Sequence, residues 1–446
     1  MRKIVIMGLA LIGASGLVAA CTPDPPPGAP SPTTRLSTGA GGGYTDGDSS
    51  QPSVSADGQI IAFSSKATNL VPGDTNGIED VFVFDRGTGS VQRVSVASDG
   101  TEAISFVSGF GSNGPSISAD GRYVAFFSCA HNLTADDDDN ACDVFVHDRE
   151  TAETTKVSVA SDGTGGSSSS GVPSISADGR YVAFMSLASN LVPDDTNDAS
   201  DIFVHDRQTG ETSRVSVNSS GEQIVSEDMW PIAFDGPSIS GDGRFVTFTT
   251  NAATMVADDT NSSNDVFIHD RETGETSRVS VASDGTEGDG DSSGASISSD
   301  GRYVAFQSWA SNLVADDNNG QQDVFVRDMN TGEVTRVSVG SDGTEGAGYS
   351  ESPAISSDGR YVAFDSYASN LVPGDVNTLL DIFVHDRQTG TTSRLLVGGS
   401  ESQSGPSMSP AISGTGQFVA FSSRTLNSTP AIDDDFWDIY LYDRGI

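Results

Sequence analysis

Six stretches of the chain carry one pattern of oxygen-bearing side chains. They are Asp74, Asn76 and Asp80; Asp137, Asp139 and Asp143; Asp195, Asn197 and Asp201; Asp259, Asn261 and Asp265; Asp317, Asn319 and Asp323; and Asp375, Asn377 and Asp381. A seventh stretch breaks the pattern with Ile432 but keeps Asp434 and Asp438. Carboxylates crowded into a loop repel one another, and Ca²⁺ takes six or more oxygen ligands, so weak Ca²⁺ sites are one expectation. The EF-hand pattern is not met: a third ligand at position five, a Gly at six and a Glu at twelve are all missing. The competing reading is that Asp and Asn bond their own backbone, turn the chain and start the next strand. The spacing alone leaves both open.

A second group of residues has the chemistry of a partner-binding surface. Most connections between the repeats described below are short and polar, such as SDGTEGDGDSSG. Two are longer and apolar: 101–114, with Ile104, Phe106, Val107 and Phe110, and 222–236, with Ile224, Val225, Met229, Trp230, Ile232 and Phe234. Aromatic clusters exposed on an acidic face mark a binding site. The same residues would also suit insertions that fold onto the body or plug its channel. Catalytic signatures are scarce. Residues 290–294 match G-x-S-x-G by letters, without the strand–turn–helix that makes a nucleophile elbow. There is no Walker motif, H-E-x-x-H or dinucleotide fingerprint. Paired carboxylates around a channel would suit polysaccharide cleavage, but with so many acids no pair stands out.

The elements that carry these residues repeat. Copies begin at Pro52, Pro115, Pro173, Pro237, Ala295, Pro353 and Pro410, at steps of 57 to 64 residues. Each holds four short runs of alternating apolar residues: PSIS; RYVAF after a Ser-x-Asp-Gly turn; DVFVHD; and RVSV after a Thr-Gly turn. Period-two alternation between Gly- and Asp-rich turns means antiparallel strands. Four strands per unit, seven times over, predict an all-β, seven-bladed propeller over residues 35–446. The seventh copy lacks its fourth run, which stands at the other end as Arg35-Leu36-Ser37-Thr38. Arg35 lies seventeen residues before Pro52, as Arg278 does before Ala295. The N-terminal strand is therefore expected to complete the last blade and close the ring.

The runs S-x-D-G-R-x-[IV]-A-F, D-[IV]-[FY]-V and T-G resemble the WD40-like (PD40) repeats of TolB-type propellers. The resemblance spans residues 35–446 and implies architecture. Such propellers serve as binding platforms, as accessory domains and occasionally as enzymes, so it implies no single function. TolB itself has six blades and a further domain, and its role does not carry over.

Subtracting the repeat separates scaffold from candidates. Most basic residues recur at framework positions: Arg35, Arg93, Lys156, Arg214, Arg278, Arg336 and Arg394 start the outer strand, and others follow the third-strand Asp or the Asp-Gly turn. Four of the five histidines (His147, His205, His269 and His385) share one third-strand position and read as structural.

The first residues read as an export signal: Arg2 and Lys3, an apolar stretch over 4–20, then Cys21. Val18-Ala19-Ala20-Cys21 resembles the lipobox of bacterial lipoproteins, which implies a signal peptide at 1–20, a lipid on Cys21 and a membrane-anchored, extracytoplasmic protein. Residues 22–34 read as a Pro-rich spacer. Cys129 and Cys142 bracket one loop; outside the cytoplasm a disulfide is the natural reading, with a two-Cys metal site as the alternative. The net charge of −39 disfavours nucleic acid and anionic membrane surfaces. The sequence thus leads to a surface-tethered, monomeric, non-catalytic propeller that binds an envelope or extracellular protein or glycan. The alternative is a polysaccharide hydrolase or lyase with carboxylates at the channel mouth.

Overall fold

The computed structural model describes residues 32–105, 111–137, 141–224, 236–397, 404–425 and 436–446. Its regular elements are strands, arranged as seven four-stranded antiparallel sheets. Blade six is typical, with strands Ser350–Ile355, Tyr361–Ser366, Asp381–Asp386 and Thr391–Leu395 paired in sequence order. The first strands of neighbouring blades pack side by side around the axis. The apolar alternation becomes seven clusters, each filled by residues from two successive blades. One holds Ala305, Val324 and Val326 of blade five with Val362, Phe364 and Phe383 of blade six.

The ring closes as expected. Thr33–Arg35 pairs with Asp438–Asp443, the third strand of blade seven, as its outer strand. In blade one the third-strand Asp80 accepts from the Ser95 hydroxyl at 2.5 Å and pairs with Arg93 at 3.2 Å. In blade seven Asp438 accepts from Ser37 at 2.7 Å and pairs with Arg35 at 2.7 Å. The N-terminal segment therefore reproduces the chemistry of an outer strand as well as its place.

A second closure lies at the turn between first and second strands. The residue after the Ser of Ser-x-Asp-Gly donates its N–H to the carbonyl of its counterpart in the next blade. The bonds run from Ala56 to Ala119, Ala177, Gly241, Ser299, Ser357 and Gly414, and from Gly414 back to Ala56, at 2.9–3.1 Å. With hydrogen-bonded Cα atoms ~5 Å apart, seven such steps enclose a ring of Cα radius roughly 6 Å. That is why x is Ala, Gly or Ser in every blade: a larger side chain would meet its neighbour.

The four repeated histidines are scaffold. His147, His205, His269 and His385 are buried, and their Nδ1 atoms meet threonine hydroxyls at 2.8–2.9 Å. Burial lowers all four, His147, His205 and His385 to about 4. Thr154 passes the contact on to the Val96 carbonyl of the previous blade at 2.6 Å. Blade five solves the same problem differently: Arg327 replaces the histidine, Val334 replaces the threonine, and Arg327 reaches the Val281 carbonyl itself at 3.0 Å.

Candidate binding site at the channel mouth

Since first and second strands are antiparallel, the seven-turn ring marks one end of the channel. The other end carries the blade connections and the loops between second and third strands. The described residues of the repeated acidic loops belong to this face.

The repeated acidic loops are closed by the protein's own cations. Arg93 meets Asp74 at 3.1 Å, Asp80 at 3.2 Å and Glu102 at 3.1 Å. Lys156 does the same for Asp137 and Asp143, Arg214 for Asp195 and Asp201, and Arg394 for Asp375 and Asp381. In blades four and five the carboxylates of Asp259, Asp265 and Glu287, and of Asp317, Asp323 and Glu345, lie close enough to share one ion. Arg278 and Arg336 reach all three members of their sets. Burial still raises several of these acids, Asp74, Asp201 and Asp317 to about 6. The asparagines turn the chain. Asn76 donates to Asp80 at 2.8 Å while its Oδ1 accepts the Ile78 N–H; Asn197, Asn261 and Asn319 repeat both contacts, and Asn377 accepts from Leu379. In these loops the amides that sequence offered as Ca²⁺ ligands are engaged in starting the third strand, and an arginine or lysine lies between the carboxylates. Asp139 falls outside the described residues.

Phe106, Phe110, Met229, Trp230 and Phe234 also lie outside the described residues, as does Cys21. The flanks of their insertions differ: Ile104 is 48% exposed, whereas Ile224 is buried among Met185, Phe248 and Met255. Cys129 and Cys142 are joined as a disulfide.

The departure from the repeat that sequence did not single out lies in blades five and six. The residue just past the second strand is Lys66, Cys129, Leu187 and Asn251 in blades one to four; it is Trp309 in blade five and Tyr367 in blade six. Trp309 is 52% exposed and Tyr367 39%. The Tyr367 ring lies 4.5 Å from that of Tyr349, whose carbonyl accepts the Tyr367 N–H at 3.1 Å. Blade seven continues the edge with Arg424, 5.1 Å over the Trp437 ring.

Beneath the tyrosines, Glu351 on the first strand stands directly opposite Asp365 on the second. Such a pair points to one side of the sheet with Cβ atoms about 5 Å apart. The second-strand position holds Ser64, Phe127, Met185, Thr249, Gln307 and Ser422 in the other blades. Asp365 is 1% exposed; one oxygen accepts the Ser409 N–H of blade seven at 3.0 Å, and Oδ1 has no hydrogen-bond partner. Burial first, then the Glu351 charge, push it up to about 7, and burial also raises Glu351. Tyr349 is raised to about 12, by its bond to Tyr367 first, with the charges of Glu351 and Asp365 adding. The signal was in the sequence as one Asp at an otherwise uncharged strand position; it was hidden among so many acids.

No protein-family model matches the chain, and no curated protein matches it. Solved structures share its fold. An oligogalacturonate lyase from Vibrio parahaemolyticus superposes with TM-score 0.54 at 14% identity, over 92% of this chain and 93% of that one. An oligogalacturonate lyase in complex with manganese gives 0.54 at 13%, over 92% of each. TolB from Acinetobacter baumannii gives 0.43 at 17%, over 83% of this chain and 67% of that one. At these identities the likeness is one of architecture.

Proposed function

We propose that this propeller is a non-catalytic glycan-binding platform, tethered outside the cytoplasm by a lipid on Cys21, whose site is the channel mouth at blades five and six. The observation that carries it is the aromatic edge of exposed Trp309 and Tyr367, with half-buried Tyr349 packed against Tyr367, set above carboxylates. Aromatic faces receive the apolar faces of sugar rings, and a few fixed acceptors orient the hydroxyls. The seven-fold scaffold supplies rigidity and no such groups of its own, so the ligand is read by what interrupts the repeat. The Cys129–Cys142 disulfide fits an oxidising compartment.

A second reading, a polysaccharide hydrolase or lyase, is favoured by the Glu351–Asp365 pair, two facing carboxylates both raised by burial. An oligogalacturonate, the substrate class in the names of two neighbours, is a polyanion. A mouth that adds Glu351 and Asp365 to a chain of net charge −39 disfavours it, which points away from that substrate. Incubating the full chain with an array of immobilised oligosaccharides, and assaying the same sugars for shortening, separates the readings. Retention without cleavage supports the platform, cleavage supports the enzyme, and neither overturns both.

A further inference from the structure

Every buried aspartate among the described residues except one has a cationic partner. Asp80, Asp137, Asp143, Asp148, Asp201, Asp206, Asp265, Asp323, Asp328, Asp381, Asp386 and Asp438 each lie within ion-pair reach of an Arg or Lys of the same blade. Asp365 is the exception. The repeat thus shows how this fold treats a buried carboxylate: it supplies a side-chain cation. At Asp365 that cation is missing, Oδ1 is buried without a partner, and a second carboxylate, Glu351, faces it across the strand pair.

We propose that Asp365 and Glu351 form a subsite for the ammonium group of an amino sugar. This rests on the glycan-binding reading of the mouth and names the class of glycan. An ammonium brings three donors and no acceptor. Asp365 Oδ1 and the Glu351 carboxylate offer two acceptors, and the Tyr349 hydroxyl lies close enough to feel both charges. A divalent metal fits less well: two carboxylates fall short of the six or more oxygens of Ca²⁺. Gln307, at the matching position of blade five, already accepts the Ser352 N–H at 2.8 Å and donates to Ser293. An amino sugar also suits the aromatic edge: its ring would stack on Tyr367 or Trp309 while its amine enters beside Glu351, the half-buried and more accessible member of the pair. Charge-assisted hydrogen bonds are the strong ones, so the ammonium anchors and the aromatics orient.

The test is calorimetric titration of the full chain with a glucosamine tetramer and with its N-acetylated counterpart. The glucosamine tetramer is expected to bind about tenfold or more tightly than the acetylated one, since losing one bond between charged partners costs about that factor or more. Asp365→Asn should erase the preference while keeping the acceptor for Ser409, and its melting temperature reports folding independently. Glu351→Gln should weaken it. If both tetramers bind equally and Asp365→Asn changes nothing, the ammonium subsite is overturned and the glycan platform stands. If neither tetramer binds and the wider array is also silent, the platform itself falls.

Discussion

The Ser37 hydroxyl donates to the Asp438 carboxylate at 2.7 Å across 401 residues of chain. The same Asp pairs with Arg35. These bonds tie the first strand to the last blade, so ring closure is a matter of specific polar contacts as well as strand pairing. Ser37→Ala should cost about 1 kcal/mol, the net worth of one hydrogen bond. Asp438→Ala, which removes the carboxylate that faces Arg35, Ser37 and Thr45, should cost about 3–5 kcal/mol. Chemical denaturation followed by intrinsic fluorescence checks both; equal small losses would mean that strand pairing alone closes the ring.

Packing between blades depends on glycine at one turn position. Gly179 has φ of +73°, and a Cβ there would lie 2.1 Å from the Tyr123 ring of the previous blade. That ring is held between Arg122 and Arg207, at 4.8 and 4.4 Å. Gly179→Ala should destabilise by about 2–4 kcal/mol, combining left-handed backbone strain with overpacking. Thermal melting measures it. An unchanged midpoint would show that the blades slide apart at no cost.

The acidic loops test whether arginine does the work of a metal. Arg278→Gln leaves Asp259, Asp265 and Glu287 with no cation among them. The variant should melt lower than the parent, and millimolar CaCl₂ should restore part of the loss, while the parent midpoint shifts far less. A parent that gains as much from calcium as the variant would return these loops to the metal reading.

Stability should depend on pH through Asp365. Its folded value is raised from 3.8 to about 7, so between these values the native state holds a proton that the unfolded chain has released. Stability from this group is therefore full below about pH 4 and is lost as pH rises through about 7. Other groups titrate nearby: burial lowers the histidines, which gives the opposite slope below about 6.5, and Asp74, Asp201 and Asp317 at about 6 add to the fall. Comparing the parent with Asp365→Asn cancels these. The stability of the parent relative to the variant should decline from pH 5 to pH 8. A constant difference would place Asp365 at an ordinary value.

The architecture was legible because it is periodic. Alternating apolar runs, the Ser-x-Asp-Gly turn and the displaced Arg35–Thr38 strand each follow from a local rule repeated seven times. The chemistry was legible only in part. Acidic side chains in the 74–80 loop and its copies read as ligands or as turn formers, and the sequence does not show that Arg93, thirteen residues beyond Asp80, folds back between them. Asp365 was overlooked for the converse reason. It sits inside a strand, where its burial and lack of a cation emerge only once blade seven is packed against blade six.

Affinity electrophoresis in polysaccharide gels measures whether Trp309 and Tyr367 hold sugar at the mouth. The parent should be retarded by a polysaccharide chosen from the array, and Trp309→Ala and Tyr367→Ala should each lose most of that retardation with melting temperatures close to the parent's. Undiminished retardation in both variants would mean that these rings do not hold the sugar and would move the site elsewhere on the propeller.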